Sequence, residues 1–559
     1  MWTKKAMRGA LGVLLALVLV LGAGPAPAEP ARAPVTYTVS PRLDGERLSG
    51  VRIAVGFKAN ANGVTRLALP SKWMGRDDLW RNIRDLSVEG ATSVAEDGPA
   101  TRVVRSRPGQ QLVAHYLLTS TLDHEPTETD AYPSEPWVRP SWFYLDGASA
   151  LVTIEGRDEA PVRLRWADWP KGFGLASNLE DKGARDPGRG VLIGGSDLRI
   201  VRSGVLRLAI RGPSGVPDAV LARELETMLK AERGFFGDRQ DQPYLVTASA
   251  LVVESGAQFH GTGMREAFAM AATPNMSLDD LRILLAHEIF HAWNPARLGQ
   301  PMGPRSYWLS EGFTDFYARR LLQRERAITP AAFVAAWNTM LREYGVSPAR
   351  AMPGAQAAEA FWTDPVAGQL PYQRGALLAA LWDQRLRRQG SSLDAVLRAQ
   401  ARAFASKPDA GLIDLFTQTM AAHGVDARPD IATYVEQGEP MTLPADLFAP
   451  CADLVEVTSP VFDLGFTPKV DGQGVIAVAN LRQDSAAYRA GLRDGMVIVE
   501  KLKGVNGDAA TPYELRMRSG DSAIRTLSFL PQGAGTTTYQ QLVLQPEATM
   551  EPRLCDFRP

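Results

Sequence analysis

The chain has 559 residues, too many for a single hydrophobic core, which sets an expectation of two to four domains. Its formal net charge is −1 and it has no basic tail or basic-aromatic run, so composition points away from a nucleic-acid partner. Apolar content is that of an ordinary globular protein.

Residues 1–28 have the layout of a cleavable secretory signal. Lys4, Lys5 and Arg8 precede an apolar run from Ala10 to Leu21, and Ala26-Pro27-Ala28 supplies the small-residue cleavage step. The run is short for a membrane span, so the expectation is an exported protein with no transmembrane anchor after cleavage, the alternative being an uncleaved anchor. No cysteine follows the cleavage site to take a lipid.

From Val35 the pattern becomes strand-like. Val51, Ile53, Val55 and Phe57 alternate, as do Val162, Leu164 and Trp166, with Gly, Asp and Pro between the runs. Residues 35–200 are read as a β-rich domain, a sandwich, containing a Pro-rich loop at 125–140. Residues 201–440 are mainly helical in pattern after a strand at Leu206–Ile210, and 436–450 has linker composition. Short strands return over 451–555. The fold class expected is multidomain α+β.

The chemistry concentrates in "AHEIFHAWNP", residues 286–295. Ser277 with Asp280 three residues on is an N-cap of the capping-box type, Pro295 is the stop, and the helix between is apolar on nearly every face. His287 and His291 at i and i+4 share a face and can bind one metal ion, with Glu288 beside them within reach of a metal-held water. A third ligand appears in "YWLSEGFTDFYARR", residues 307–320: Glu311 lies twenty positions after His291. Asp315, one turn beyond, can accept the second N–H of a liganding histidine and fix its tautomer. Two histidines and one glutamate leave a fourth position open, the pattern of catalytic rather than structural zinc. One zinc ion is the expected cofactor, although other divalent metals suit the same donors.

These segments, "HEIFHAWNPARL" and "WLSEGFTDFY", resemble the glycyl aminopeptidase family of gluzincin zinc metallopeptidases. The resemblance implies a β-rich N-terminal domain, a thermolysin-like catalytic domain and a C-terminal PDZ domain over 451–555. It assigns His287, His291 and Glu311 to zinc and Glu288 to general-base catalysis. "LPYQRGALLAALWDQRLR", residues 370–387, is similar to a Tyr-x-x-Gly segment opening a later helix, which makes Tyr372 the donor to the tetrahedral oxyanion. "GTGMREAF", residues 261–268, stands where the family has a Gly-x-x-Glu motif, so Glu266 would bind a substrate's α-amine. Here Arg265 replaces the family's leucine and Ala267 its histidine. The loop between His291 and Glu311 is also shorter than is common in the family.

At the C-terminal end, "FDLGF" and "SAAYRAGLRDG" resemble a PDZ domain, departing from its pattern at Ala486 and Met496. The resemblance implies that Leu464, Gly465 and Phe466 present N–H groups to a peptide C-terminus. Cys451 and Cys555 bracket this segment, and export permits a disulfide between them, with two free thiols as the alternative. The expected function is a zinc metallopeptidase acting on peptides, an aminopeptidase releasing small N-terminal residues. It is placed in the periplasm by the family resemblance. The alternatives are a zinc endopeptidase and a non-catalytic peptide-binding protein on a peptidase scaffold.

Overall fold

The computed structural model describes residues 33–557, apart from 75, 121, 128–129, 131–134, 158–159, 254–256, 265, 471–474, 506 and 521–522. The expected signal segment lies outside the described residues. No helix among them is long and apolar enough to cross a membrane.

The N-terminal region is built from three sheets. A five-stranded sheet runs in the order Val162–Trp166, Val35–Asp44, Arg47–Lys58, Gln111–Leu118, Arg84–Glu89, and a four-stranded sheet is centred on Val64–Ala68 and Thr101–Arg105. A third sheet pairs Trp142–Asp146 with Val191–Gly195 and places Trp137–Arg139 and Gly174–Ser177 at its edges. Every residue of Trp142–Asp146 is buried, because side chains alternate between two cores. Phe143 and Leu145 join Val39, Ile53 and Val55 in the N-terminal core, whereas Trp142 and Tyr144 face the next sheet along the chain.

That next sheet opens the mainly helical region and consists of β1 (Arg199–Ser203), β2 (Leu206–Arg211), β3 (Tyr244–Ala250), β4 (Phe259–Met264) and β5 (Ala267–Ala272). Its order is β1-β2-β3-β5-β4, parallel across β2, β3 and β5, with antiparallel strands at both edges. Leu208, Val246 and Phe268 project to one face, under helices α1 (Asp218–Phe236) and α2 (Leu278–Phe290). Ala209, Leu245, Ala267 and Ala269 project to the other, against Trp142 and Tyr144. The small alanines let the two sheets approach. Because β1 pairs with β2, the expected boundary at residue 200 falls inside a strand of this sheet.

Helices α3 (Tyr307–Arg324) and α4 (Pro365–Arg388) cross at glycine on glycine. A Cβ on Gly375 would lie 1.7 Å from the Trp308 carbonyl oxygen, and one on Gly312 would lie 2.4 Å from Gly375 Cα. No larger residue fits at this crossing.

The expected linker at 436–450 is instead packed structure. Met441, Leu443, Leu447 and Phe448 are buried in the helical core, and Met441 N–H donates to the Tyr344 hydroxyl at 2.9 Å. Its Pro and Gly content hid four apolar anchors. Cys451 and Cys555 are disulfide-bonded with Cα atoms 4.7 Å apart, and both lie in that same core. From there an antiparallel ribbon, Ala452–Phe462 with Gln532–Leu544, leads outward to a five-stranded sheet with its own small core around Phe466, Tyr513 and Phe529. The 451–555 segment is therefore anchored at both ends in the helical region. In the loop Leu464–Phe466, Gly465 N–H already donates to Asp463 Oδ1 at 2.7 Å, Phe466 is buried, and Asp463 pairs with Arg482. One of the three N–H groups that the sequence offered to a peptide carboxylate is thus engaged by a neighbouring side chain.

Candidate metal centre

Helix α2 begins as its sequence dictates: Ser277 Oγ accepts the Asp280 N–H and the Asp280 side chain accepts the Ser277 N–H. It ends at Phe290 with His291 as C-cap, earlier than the proline stop suggested. Beyond it lies Asn294, fully buried, whose side-chain amide donates to the Leu309 and Ser310 carbonyls at 3.1 and 2.9 Å and to Thr314 Oγ1. These bonds fasten the chain after α2 to α3.

The same turn orients His291, whose Nδ1 donates to the Asn294 carbonyl at 2.8 Å. His287 Nδ1 donates to Asp315 Oδ1 at 2.9 Å, and Arg319 backs that carboxylate at 3.2 Å. With both Nδ1 protons so placed, the two Nε2 lone pairs face each other at 3.1 Å, an arrangement that repels unless a cation lies between them. Glu311 Oε2 completes the triangle at 3.4 Å from His287 Nε2 and 3.2 Å from His291 Nε2. Tetrahedral zinc with bonds of about 2.0–2.1 Å holds its ligand atoms about 3.3 Å apart. The three donors fit zinc in type, number and spacing, and they are the one such His/Cys/Asp/Glu group among the described residues.

The electrostatics agree. Burial works to lower the His287 pKa, but the hydrogen bonds to Asp315 and Glu311 outweigh it and hold the metal-free ring at about 10. Burial works to raise Glu311, but His291 and His287 hold its carboxylate well below the usual range. Glu288 behaves differently: burial raises it, only partly offset by the two histidines. One carboxylate is a committed anion and its neighbour is poised to take a proton.

Edge strand β4 lies directly on these groups. A Cβ on Gly261 would come within 2.4 Å of the Glu288 carboxyl carbon, and one on Gly263 within 2.4 Å of His291 Cβ. The Gly-x-Gly spacing, two glycines on one face of a strand, was the signal available for this contact. Tyr372 lies inside α4, a turn or more past its start at Pro365, and not at the helix opening. Asp364 caps that helix, and Pro371 is carried within it. The Tyr372 ring stacks on His287 at 5.9 Å between centroids and lines the same cleft.

Glu266 is not brought into the cleft. It occupies the turn between β4 and β5 at φ +50°, with its carboxylate held by Arg233 at 3.1 Å and Arg297 at 2.5 Å. Sequence alone could not foresee these partners, which come from α1 and the loop after α2. The cleft, about 570 Å³, is walled by Tyr307, Phe361, Trp362 and Tyr372 on the helical side. Trp73, Met74 and Arg189 reach it from the N-terminal sheets, and nothing in the sequence marked them.

Residues 280–368 match the family model described as M61 glycyl aminopeptidase. Among solved structures, an aminopeptidase N family protein from Idiomarina loihiensis is similar at TM-score 0.66 and 16% identity, covering 92% of this chain and 99% of that one. An M1 zinc metallopeptidase from Deinococcus radiodurans gives 0.46 and 21%, covering 73% and 94%. Yeast LTA4 hydrolase in complex with bestatin gives 0.45 and 14%, covering 74% and 68%. The first of these is a likeness of fold. No curated protein sequence matches the chain.

Proposed function

We propose that this chain, a zinc metallopeptidase with an M61 glycyl aminopeptidase segment at its metal site, is an exported aminopeptidase in which Glu288 is the general base. The observation that carries the catalytic reading is the convergence of His287, His291 and Glu311 beside a poised Glu288 in an open cleft. Zinc, when bound, supplies a Lewis acid that activates water at neutral pH. Glu288 accepts the proton of the attacking water and returns it to the leaving amine, for which a carboxyl raised by burial is suited. Tyr372 donates its phenolic proton to the oxygen on which negative charge develops. Asp315 fixes the His287 tautomer so that Nε2 faces the metal position.

The engagement of Glu266 by Arg233 and Arg297 favours a second reading, a zinc endopeptidase. Among the described lining residues the only carboxylates are Glu288 and Glu311, and neither is available to anchor a free α-amine. The signal segment supports export, with the periplasm as the compartment proposed. The peptide-docking role of Leu464–Phe466 remains a proposal, and the Gly465–Asp463 bond weighs against it.

The test is hydrolysis by zinc-loaded protein of alanine- and glycine-initiated peptides with free and acetylated N-termini, beside Glu288→Gln. Cleavage of free-amine peptides alone supports the aminopeptidase, and equal cleavage supports the endopeptidase. No cleavage of either by protein carrying stoichiometric zinc sinks the catalytic reading and leaves peptide binding.

A further inference from the structure

We propose that the cleft selects peptides carrying one large apolar side chain, with Trp362 as the specificity residue that packs on it, an inference that rests on the peptidase reading above. Trp362 is 49% exposed, more than any other phenylalanine or tryptophan among the described residues. It lines the metal cleft, and the mechanism gives it no duty. Large apolar surface left wet inside a concave site is surface that a ligand can cover.

The ring is the outer end of an aromatic series that starts at the metal position. Tyr372 stacks on His287, Phe361 stacks on Tyr372 at 6.4 Å between centroids, and Trp362 meets Phe361 edge-on at 4.8 Å. Tyr307 also meets Phe361 edge-on, at 4.6 Å. The backbone carrying Trp362 is fixed. It turns tightly between helix Gly354–Ala360 and α4, where the Thr363 and Asp364 N–H groups both donate to the Ala360 carbonyl at 3.0 and 2.9 Å. The Asp364 carboxylate then accepts the Val366 N–H at 2.8 Å, and a Cβ on Gly368 would lie 2.8 Å from the Phe361 carbonyl oxygen. The turn is thus clamped against the first turn of α4.

The N-terminal wall is also set before any peptide arrives. The Trp73 indole N–H donates to the buried Asp146 carboxylate at 3.0 Å, and the Trp73 backbone exchanges hydrogen bonds with Arg76 at 3.0 and 2.9 Å. Met74, next in the chain, is held at φ +49°, a left-handed conformation that a long side chain adopts at a cost. It lines the same cleft, where a flexible thioether can adapt to varied apolar shapes. Apolar walls preformed by both regions favour a bulky side chain, because little of their own freedom is lost on binding. A hydrogen or a methyl group in the same place leaves the Trp362 face wet. The residue selected is therefore phenylalanine- or leucine-like, in contrast to the small residues expected from the sequence.

Zinc-loaded Glu288→Gln protein, which reports binding without turnover, is titrated calorimetrically with Ala-Ala-Ala-amide and with the three peptides in which phenylalanine replaces one alanine. Trp362→Ala and Trp362→Phe are made in the same background, and zinc content is measured on each. The expected result is a preference of about 10- to 100-fold for one phenylalanine peptide, the ratio that burial of one such side chain supplies. That ratio falls several-fold in Trp362→Ala and is largely kept in Trp362→Phe, while affinity for Ala-Ala-Ala-amide is little changed. The position at which phenylalanine is preferred identifies the peptide residue that Trp362 covers. Equal affinities for all four peptides overturn the assignment, as does a preference undiminished in zinc-retaining Trp362→Ala. A uniform loss of affinity for every peptide in that variant also overturns it, since it marks a structural role only. Absence of hydrolysis of all four peptides by the parent enzyme would instead fail the peptidase reading, and the two failures are read separately.

Discussion

His287 and His291 each commit the Nδ1 proton to a fixed acceptor, Asp315 and the Asn294 carbonyl, so that their Nε2 atoms are held as a facing pair beside Glu311. Replacing Asp315 by Asn removes the anionic acceptor and is expected to weaken zinc binding by about 10- to 100-fold, measured by competition with a chelator. Glu288→Gln keeps the three ligands, so zinc content by atomic absorption should be unchanged while kcat falls by about 10²–10⁴-fold. Protons compete with zinc for the same nitrogens. Burial lowers the His287 pKa, but Asp315 and Glu311 raise it from 6.5 to about 10 in the metal-free protein. The protonated ring therefore stabilises the metal-free fold below about 6.5, and this contribution is lost as pH rises through about 10. Apparent zinc affinity has the opposite slope, increasing with pH over that window. Calorimetry of metal-free protein at pH 6 and 9, beside zinc titrations at both, checks the two signs.

At the scale of elements, the site is a contact between one edge strand and three helices, α2, α3 and α4. The HExxH pair was legible because helical periodicity sets His287 and His291 on one face without reference to the rest of the chain, and Glu311 was legible as a ligand type at a usable distance on the next helical segment. What was not legible is how α3 is held at the right height. That depends on the buried Asn294 amide and on the glycine crossing with α4, both of which are long-range contacts. Gly375→Ala should therefore overpack the α3–α4 crossing and destabilise the protein by about 1–3 kcal/mol or more, read as a shift in the denaturation midpoint. Gly263→Ala should push β4 away from His291 and lower zinc affinity, with less effect on global stability, since β4 is an edge strand.

At the scale of the molecule, the C-terminal segment is fastened at both ends to the helical region, while its five-stranded sheet keeps a core of its own. The Arg320 and Arg324 side chains of α3 donate to the carbonyls of Phe557 and Asp556 at 2.6 and 2.8 Å, and Cys555 next to them is bonded to Cys451. The bridge closes a loop 104 residues in sequence separation. Its removal by Cys451→Ser with Cys555→Ser should cost about 2–5 kcal/mol. Because the tail lies on the helix that carries Glu311 and Asp315, zinc retention on mild heating should fall with it. Comparison of the oxidised, reduced and double-serine proteins measures both effects.

The sequence by itself determined the metal chemistry and the broad α+β class, because ligand type and helical spacing are local properties. It also located the β-rich region and the two cysteines. Only the tertiary structure decided that Glu266 is neutralised by two arginines, that residues 436–450 are core, that Tyr372 lies well inside its helix, and that Arg189 and Trp73 wall the cleft. Each of these depends on which distant surfaces meet. Pairing of charges and burial of apolar side chains across long separations are set by packing, and no local pattern records them.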